Sequence, residues 1–189
     1  MSISRELVYA SKNGDLLKVK YLIKDGADIH AWDNEALQHA SDKGHLEVVK
    51  YLVENGANIH ASNDLALKYA SYKGHLEVVK YLVKQGADFH ALCDEALRLA
   101  SEYGHLKIVK YLVEQGANIH AHSDYALRWA GANGHLEVVK YLVEKGADIY
   151  AWDDFTNNLA NFTLNNGNLE VVTYLKNIIR KKKIISILD

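Results

Sequence analysis

Proline is absent from this chain of 189 residues, and cysteine occurs once, at Cys93. Without proline, no residue fixes φ so as to interrupt a helix or stiffen a linker. One thiol excludes an intramolecular disulfide, which fits a reducing compartment. Long apolar runs are missing as well: the longest are about five residues, against the roughly 20 that a membrane-spanning helix needs. The opening MSISRELVYA lacks the apolar stretch of about 7–15 residues that marks a secretory leader. Nor is one sign of charge in large excess, since 22 bases face 24 acids for a net charge of −2. No global field draws the chain to nucleic acid or to anionic membranes. The composition therefore predicts a cytoplasmic protein without nucleic-acid or membrane partners. No glycine-rich phosphate loop, paired catalytic carboxylates or serine triad stands out, so no enzyme activity and no cofactor are expected.

What the chain does have is a repeat. GHLEVVKYLVENGANIHA (44–61) returns as GHLEVVKYLVKQGADFHA (74–91), GHLKIVKYLVEQGANIHA (104–121) and GHLEVVKYLVEKGADIYA (134–151), after a weaker first copy at 14–31. The period is 30 residues, and a last copy, GNLEVVTYL (167–175), arrives three residues late. Within one copy, Leu46, Val49, Leu52 and Val53 recur at steps of three and four, the signature of a helix with one apolar face. Glu47, Lys50 and Glu54 read as its solvated face. A second, shorter helix carries Ala36, Leu37 and Ala40 as its buried stripe. Asn34, Asp64, Asp94, Asp124 and Asp154 precede it and are suited to capping its first free amides. Two helices and a loop cannot bury their apolar faces alone, so successive copies must stack.

The string G-H-L-E-V-V-K-Y-L-V-x-x-G-A-x-I-H-A, preceded by a short helix, resembles the ankyrin repeat over residues 2 to about 180. It is three residues shorter than the common pattern, and Glu35-Ala36-Leu37-Gln38 and its counterparts stand where that family has Thr-Pro-Leu-His. The resemblance implies an all-α solenoid of helix-loop-helix repeats with short inter-repeat loops, forming a single domain over 1–189. An N-terminal cap (2–31) and repeats at 32–61, 62–91, 92–121 and 122–151 are followed by a C-terminal cap (152–189). It further implies a non-catalytic, monomeric module that binds a partner protein on its concave face. The alternatives are a substrate-recruiting adaptor for a host ubiquitin or signalling machine, and a structural virion component. Shortened repeats in a chain rich in Lys, Asn, Ile and Tyr resemble the ankyrin proteins of giant viruses of amoebae, for which the host cytoplasm is the expected location.

Several residue types invite a chemical reading. Eight of the ten histidines fall into two registers, His30, His60, His90, His120 and His45, His75, His105, His135. Packed helices lie about 8–10 Å apart, whereas imidazoles sharing a zinc ion must lie within about 4 Å of one another. No metal site is expected from either register, and both read as hydrogen-bonding ladders within and between repeats. Tyr21, Tyr51, Tyr81, Tyr111, Tyr141 and Tyr174 repeat too, and read as packing. Cys93 lacks a fixed His or Asp partner and reads as a plain surface thiol. The tail holds Lys176, Arg180, Lys181, Lys182 and Lys183. It reads as a last helix that seals the core and exposes its bases, while Arg180–Lys183 is the segment a nuclear-import signal would use.

Partner contacts are sought where the repeat varies. One loop column reads Trp32, Ser62, Leu92, His122, Trp152, the start of the short helix reads Glu35, Leu65, Glu95, Tyr125, Phe155, and the pair before the glycine reads Asp42-Lys43, Tyr72-Lys73, Glu102-Tyr103, Ala132-Asn133. The matching columns of the ankyrin family line its concave face, which makes Trp32, Tyr72, Tyr103, Tyr125 and Trp152 anchor candidates, with Arg98 and Arg128 beside them; Trp, Tyr and Arg dominate binding hot spots. The three extra residues between Ala151 and Gly167 predict a last short helix one turn longer, with Leu159, Phe162 and Thr163 towards the preceding repeat. Deleting residues 155–189 is expected to uncover Leu136, Val139, Leu142 and Val143. Light scattering and thermal melts should then show aggregation or loss of cooperative unfolding; a truncated chain as soluble and stable as the parent contradicts the capping role.

Overall fold

The computed structural model describes residues 2–150, 163, 164 and 166–188, and every regular element among them is an α-helix. In chain order these are α1 (Ile3–Lys12), α2 (Leu16–Lys24), α3 (Ala31–Asp42), α4 (Leu46–Glu54), α5 (Ala61–Lys73), α6 (Leu76–Lys84), α7 (Ala91–Glu102), α8 (Leu106–Glu114), α9 (Ala121–Ala132), α10 (Leu136–Glu144) and α11 (Leu169–Leu188). They form two compact units, residues 1–100 and 101–189. In the first, α1, α3 and α5 pack in succession, as do α2, α4 and α6. In the second, α9 packs on α10, and α10 on α8 and α11.

The core repeats as the sequence does. Leu37, Leu67 and Leu97 in the first unit and Leu127 in the second are buried, and so are Val48, Val49 and Leu52 with their counterparts in α6, α8 and α10. Each such side chain contributes roughly 1.5–3 kcal/mol. Alanines 36, 40, 66 and 70 are buried beside them, small enough for neighbouring helices to approach.

The start of each internal short helix departs from the capping expectation. Trp32, Asp33 and Asn34 all have positive φ, at 48°, 57° and 63°, and the same three-residue left-handed turn recurs at Ser62–Asp64, Leu92–Asp94 and His122–Asp124. A left-handed residue costs roughly 1–2 kcal/mol, least for Asn and Asp, whose side chains bond locally. The third residue of the turn does not spend its side chain on its own helix. Asp64 Oδ1 accepts from Asp88 N of the next repeat at 2.8 Å and from His60 Nδ1 at 3.1 Å. Asn34 Oδ1 does the same with Asn58 N at 2.8 Å and His30 Nδ1 at 3.2 Å. In the second unit Asp124 takes Asp148 N at 2.9 Å and His120 Nδ1 at 3.0 Å. The cap residue of the sequence pattern is thus a tie between repeats. Among the described helices α1 and α2 start conventionally, with Ser2 Oγ accepting from Arg5 N and Asp15 Oδ1 from Lys18 N.

The second histidine register ties repeats at the other end of the short helix. His45 Nε2 donates to Lys12 O at 3.0 Å, His75 Nε2 to Asp42 O at 2.9 Å and, in the second unit, His135 Nε2 to Glu102 O at 2.8 Å. These carbonyls belong to a helix C-terminus, where intrahelical partners run out. A carbonyl only accepts and a carboxylate here takes two donors, so the two ladders hold imidazole in opposite tautomers, Nε2–H in one and Nδ1–H in the other. The ring of each such histidine lies against the glycine one repeat earlier. In the last repeat Asn168 replaces histidine, and its Nδ2 donates to Ala132 O.

Asn168 N bonds to Thr163 O as His45 N bonds to Ala40 O, so Thr163 stands in the Ala40 column and the three extra residues precede it. Thr163 is buried; Leu159 and Phe162 lie outside the described residues. Val171, Val172 and Leu175 of α11 are buried, and α11 runs for 20 residues where its counterparts have 9.

A methyl group at Gly14 would lie 2.6 Å from His45 Nδ1, and Gly14 has φ +73°. Gly14→Ala is therefore expected to cost about 1–3 kcal/mol in urea unfolding. Gly14→Ala in a His45→Ala background should cost less than in the parent, because the clash is gone and only the backbone strain remains; additive losses would show that the ring does not press on the glycine.

Candidate protein-binding surface

In the first unit, the left-handed turn before α3 lifts Trp32 clear of the core, leaving it 51% exposed with the Arg5 guanidinium 5.6 Å over its ring. The turn is braced from within: Gln38 Nε2 donates to Asp33 O at 2.6 Å, and Ser62 Oγ of the next repeat donates to Asp33 Oδ2. Tyr72 is half-buried at the end of α5 with the Lys73 ammonium 4.2 Å from its ring centroid. Arg98 is half-buried on α7. Lys68 is the one buried lysine among the described residues and pairs with Glu95 Oε2 at 3.3 Å.

In the second unit, Tyr103 is 45% exposed. Tyr125 and Arg128 are half-buried neighbours on α9. The Arg128 guanidinium lies 5.5 Å over the Tyr125 ring, and Nη1 donates to His122 O at 3.4 Å. Burial lowers the Arg128 pKa from its ordinary value, partly offset by Tyr125 and Asp124. Trp152 lies outside the described residues.

The structure adds residues that the variable-column reading passed over. Trp129 stacks against Tyr125 with ring centroids 5.5 Å apart, and its column runs Tyr9, His39, Tyr69 and Leu99 through the first unit. Positions 35, 39 and 42 are four and three apart, one stripe of a helix, so the signal lay in the spacing. Arg5, the cation over Trp32, belongs to the Glu35 column one repeat earlier.

The repeated residues go to the scaffold. The Lys20 ammonium lies 5.4 Å from the Tyr51 ring, and Lys110 lies 5.6 Å from Tyr141, each lysine covering the tyrosine of the following repeat. Cys93 is exposed, the second residue of its left-handed turn. Among the described residues no three His, Cys, Asp or Glu side chains converge to hold a metal ion, and no helix is long and apolar enough to cross a membrane.

Paired helices at a 30-residue period, with leucine, valine and alanine columns buried, define a helical repeat protein. The model of the family described as Ankyrin repeats (3 copies) matches residues 7–93 and 90–153, and the chain belongs to that family. Among solved structures it is similar to the ankyrin repeat domain of human ASB11, with a TM-score of 0.77 and 25% identity over 90% of this chain and 82% of that one. No curated protein matches the chain. Ankyrin repeat domains generally mediate protein–protein interaction and are typically non-enzymatic.

The scaffold tyrosines carry a pH signature. Burial, foremost, raises the phenol pKa of Tyr81, Tyr141 and Tyr174 above the ordinary 10.0, with Glu54 adding to it at Tyr81. A raised folded-state pKa means that the fold favours the protonated phenol, so this stabilisation is present below pH 10 and is lost as pH rises beyond it. The melting temperature should fall as pH climbs above about 10, and a Tyr81→Phe, Tyr141→Phe, Tyr174→Phe variant should lose part of that fall. An identical alkaline profile for parent and variant would contradict the burial.

Proposed function

We propose that the chain is a monomeric, non-catalytic recognition module that engages a partner protein through the turn and short-helix columns of its repeats, the columns that line the concave face in this family. What carries the reading is the division of labour among columns. Histidine, tyrosine, leucine and glycine columns that recur through the internal repeats are spent on packing and inter-repeat bonds. Tryptophan, tyrosine and arginine concentrate in columns that vary and stay accessible. Specificity requires such freedom, because a residue committed to the core cannot be chosen for a partner. The resemblance to the ankyrin proteins of giant viruses makes an infected host's cytoplasm the place to look for that partner.

The test is affinity capture from such cells with the parent chain and with Trp32→Ala and Tyr103→Ala variants. Each substitution should weaken capture of the same partner by about 1–3 kcal/mol and leave the thermal midpoint nearly unchanged, since neither side chain supports the core. Ligase subunits among the captured proteins would make the module a substrate-recruiting adaptor, and enrichment of the chain in purified virions would make it a particle component. Undiminished capture by a Trp32, Tyr72, Tyr103 and Tyr125 alanine variant moves the interface off this face.

A further inference from the structure

We infer that the end of α11 beyond the repeat, residues 178–188, is itself a ligand: a cationic helix that seats in an acidic, apolar-lined groove of another protein. It acts independently of the recognition face above, because it uses none of the variable columns. α11 is long for a local reason. Leu169 stands in the Leu46 column, so a helix of the usual length would stop at Asn177, as α4 stops at Glu54. The long helices of the earlier repeats are each followed by a glycine of positive φ, Gly26, Gly56, Gly86, Gly116 and Gly146. In the last copy that column holds Ile179, a β-branched residue that strongly disfavours the left-handed conformation. With no such stop, α11 runs on to Leu188. The added stretch is roughly 16 Å long as a helix.

The composition of that stretch sets the chemistry of its partner. Residues 176–183 hold five bases, Lys176, Arg180, Lys181, Lys182 and Lys183, and no acid; Glu170 is the one acid of α11, and Asp189 follows its end. Lys176, Arg180 and Lys181 are exposed, and among the described residues no carboxylate pairs with them. Ile178, Ile179, Ile184, Ile185, Ile187 and Leu188 share the stretch with the bases. At 3.6 residues per turn, both sets of positions fall all round the helix axis. A helix that lies on an anionic membrane needs one apolar and one polar face, a division this stretch lacks. A phosphate backbone would take the bases but leave the aliphatic residues without apolar contact. Two copies of the stretch repel each other. A helix apolar all round is a buried one. The groove that buries it and pairs its bases has aliphatic or methionine side chains on its floor and carboxylates along its walls.

The test titrates the full chain with calcium-loaded calmodulin, a probe whose acidic, methionine-rich groove accepts cationic helices, and separately with anionic phospholipid vesicles and a labelled DNA duplex. The parent chain should bind the calmodulin probe with micromolar or tighter affinity, and more weakly as salt rises. Arg180→Glu with Lys181→Glu, two exposed sites where folding is not at risk, should weaken that binding about tenfold, and Arg180→Lys with Lys181→Arg should leave it intact. Ile184→Asp with Ile185→Asp should also weaken it about tenfold. No binding to the probe, binding indifferent to the Glu variant, or tighter binding to the vesicles or the duplex than to the probe would each overturn the inference. Affinity for the probe lost in Trp32→Ala would overturn it as well, by placing the contact on the repeats.

Discussion

The contact on which the rest depends is a side-chain oxygen that accepts two hydrogen bonds from two directions. At Asn34, Asp64 and Asp124 the same Oδ1 takes the histidine four residues back and the backbone amide 24 residues on. The first bond holds the left-handed turn, and the second fixes the next repeat. Three consecutive left-handed residues oppose folding by a few kcal/mol per repeat, so the turn persists only because this oxygen and the helix packing around it over-determine its shape. Once the turn is set, the short helix begins at position 35 or its counterparts, its apolar stripe meets the long helices, and the residue that opens the turn is carried outward. The exposure of Trp32 and Leu92 follows from the backbone beneath them rather than from any preference of their own.

Scaffold and recognition are therefore coupled in the chain but separable by column. Two ladders of histidine in opposite tautomers close the two ends of each short helix, and neither uses the variable positions. This separation lets α3 carry an acidic segment and α9 an aromatic cluster without altering the fold beneath. It also makes substitutions in the variable columns cheap for stability, the ordinary result for surface positions away from special features.

Much of this was legible in the sequence. The 30-residue period and the helical steps of Leu46, Val49 and Leu52 both follow from spacing alone. The left-handed turn was not legible, because Asp and Asn before a helix satisfy the requirements of an N-cap and of a left-handed residue alike, and only the backbone distinguishes them. Trp129 and Arg5 were missed for a different reason. No single column singles them out, because a helix groups positions 35, 39 and 42 into one stripe, and a neighbouring repeat supplies the cation over an aromatic ring. α11 was legible in two pieces, since LEVVTYL carries the helical steps of the repeat and the tail reads as a last helix, and the structure joins them into one helix over Leu169–Leu188.

Amide hydrogen exchange at Asp88 tests the inter-repeat bond most directly, since that single N–H reports whether Asp64 reaches across. The account predicts strong protection in the parent chain and its selective loss in Asp64→Ala under conditions where the long helices α4 and α6 stay protected. An Asp88 amide that exchanges freely in the parent, or that keeps its protection without the Asp64 carboxylate, would contradict it.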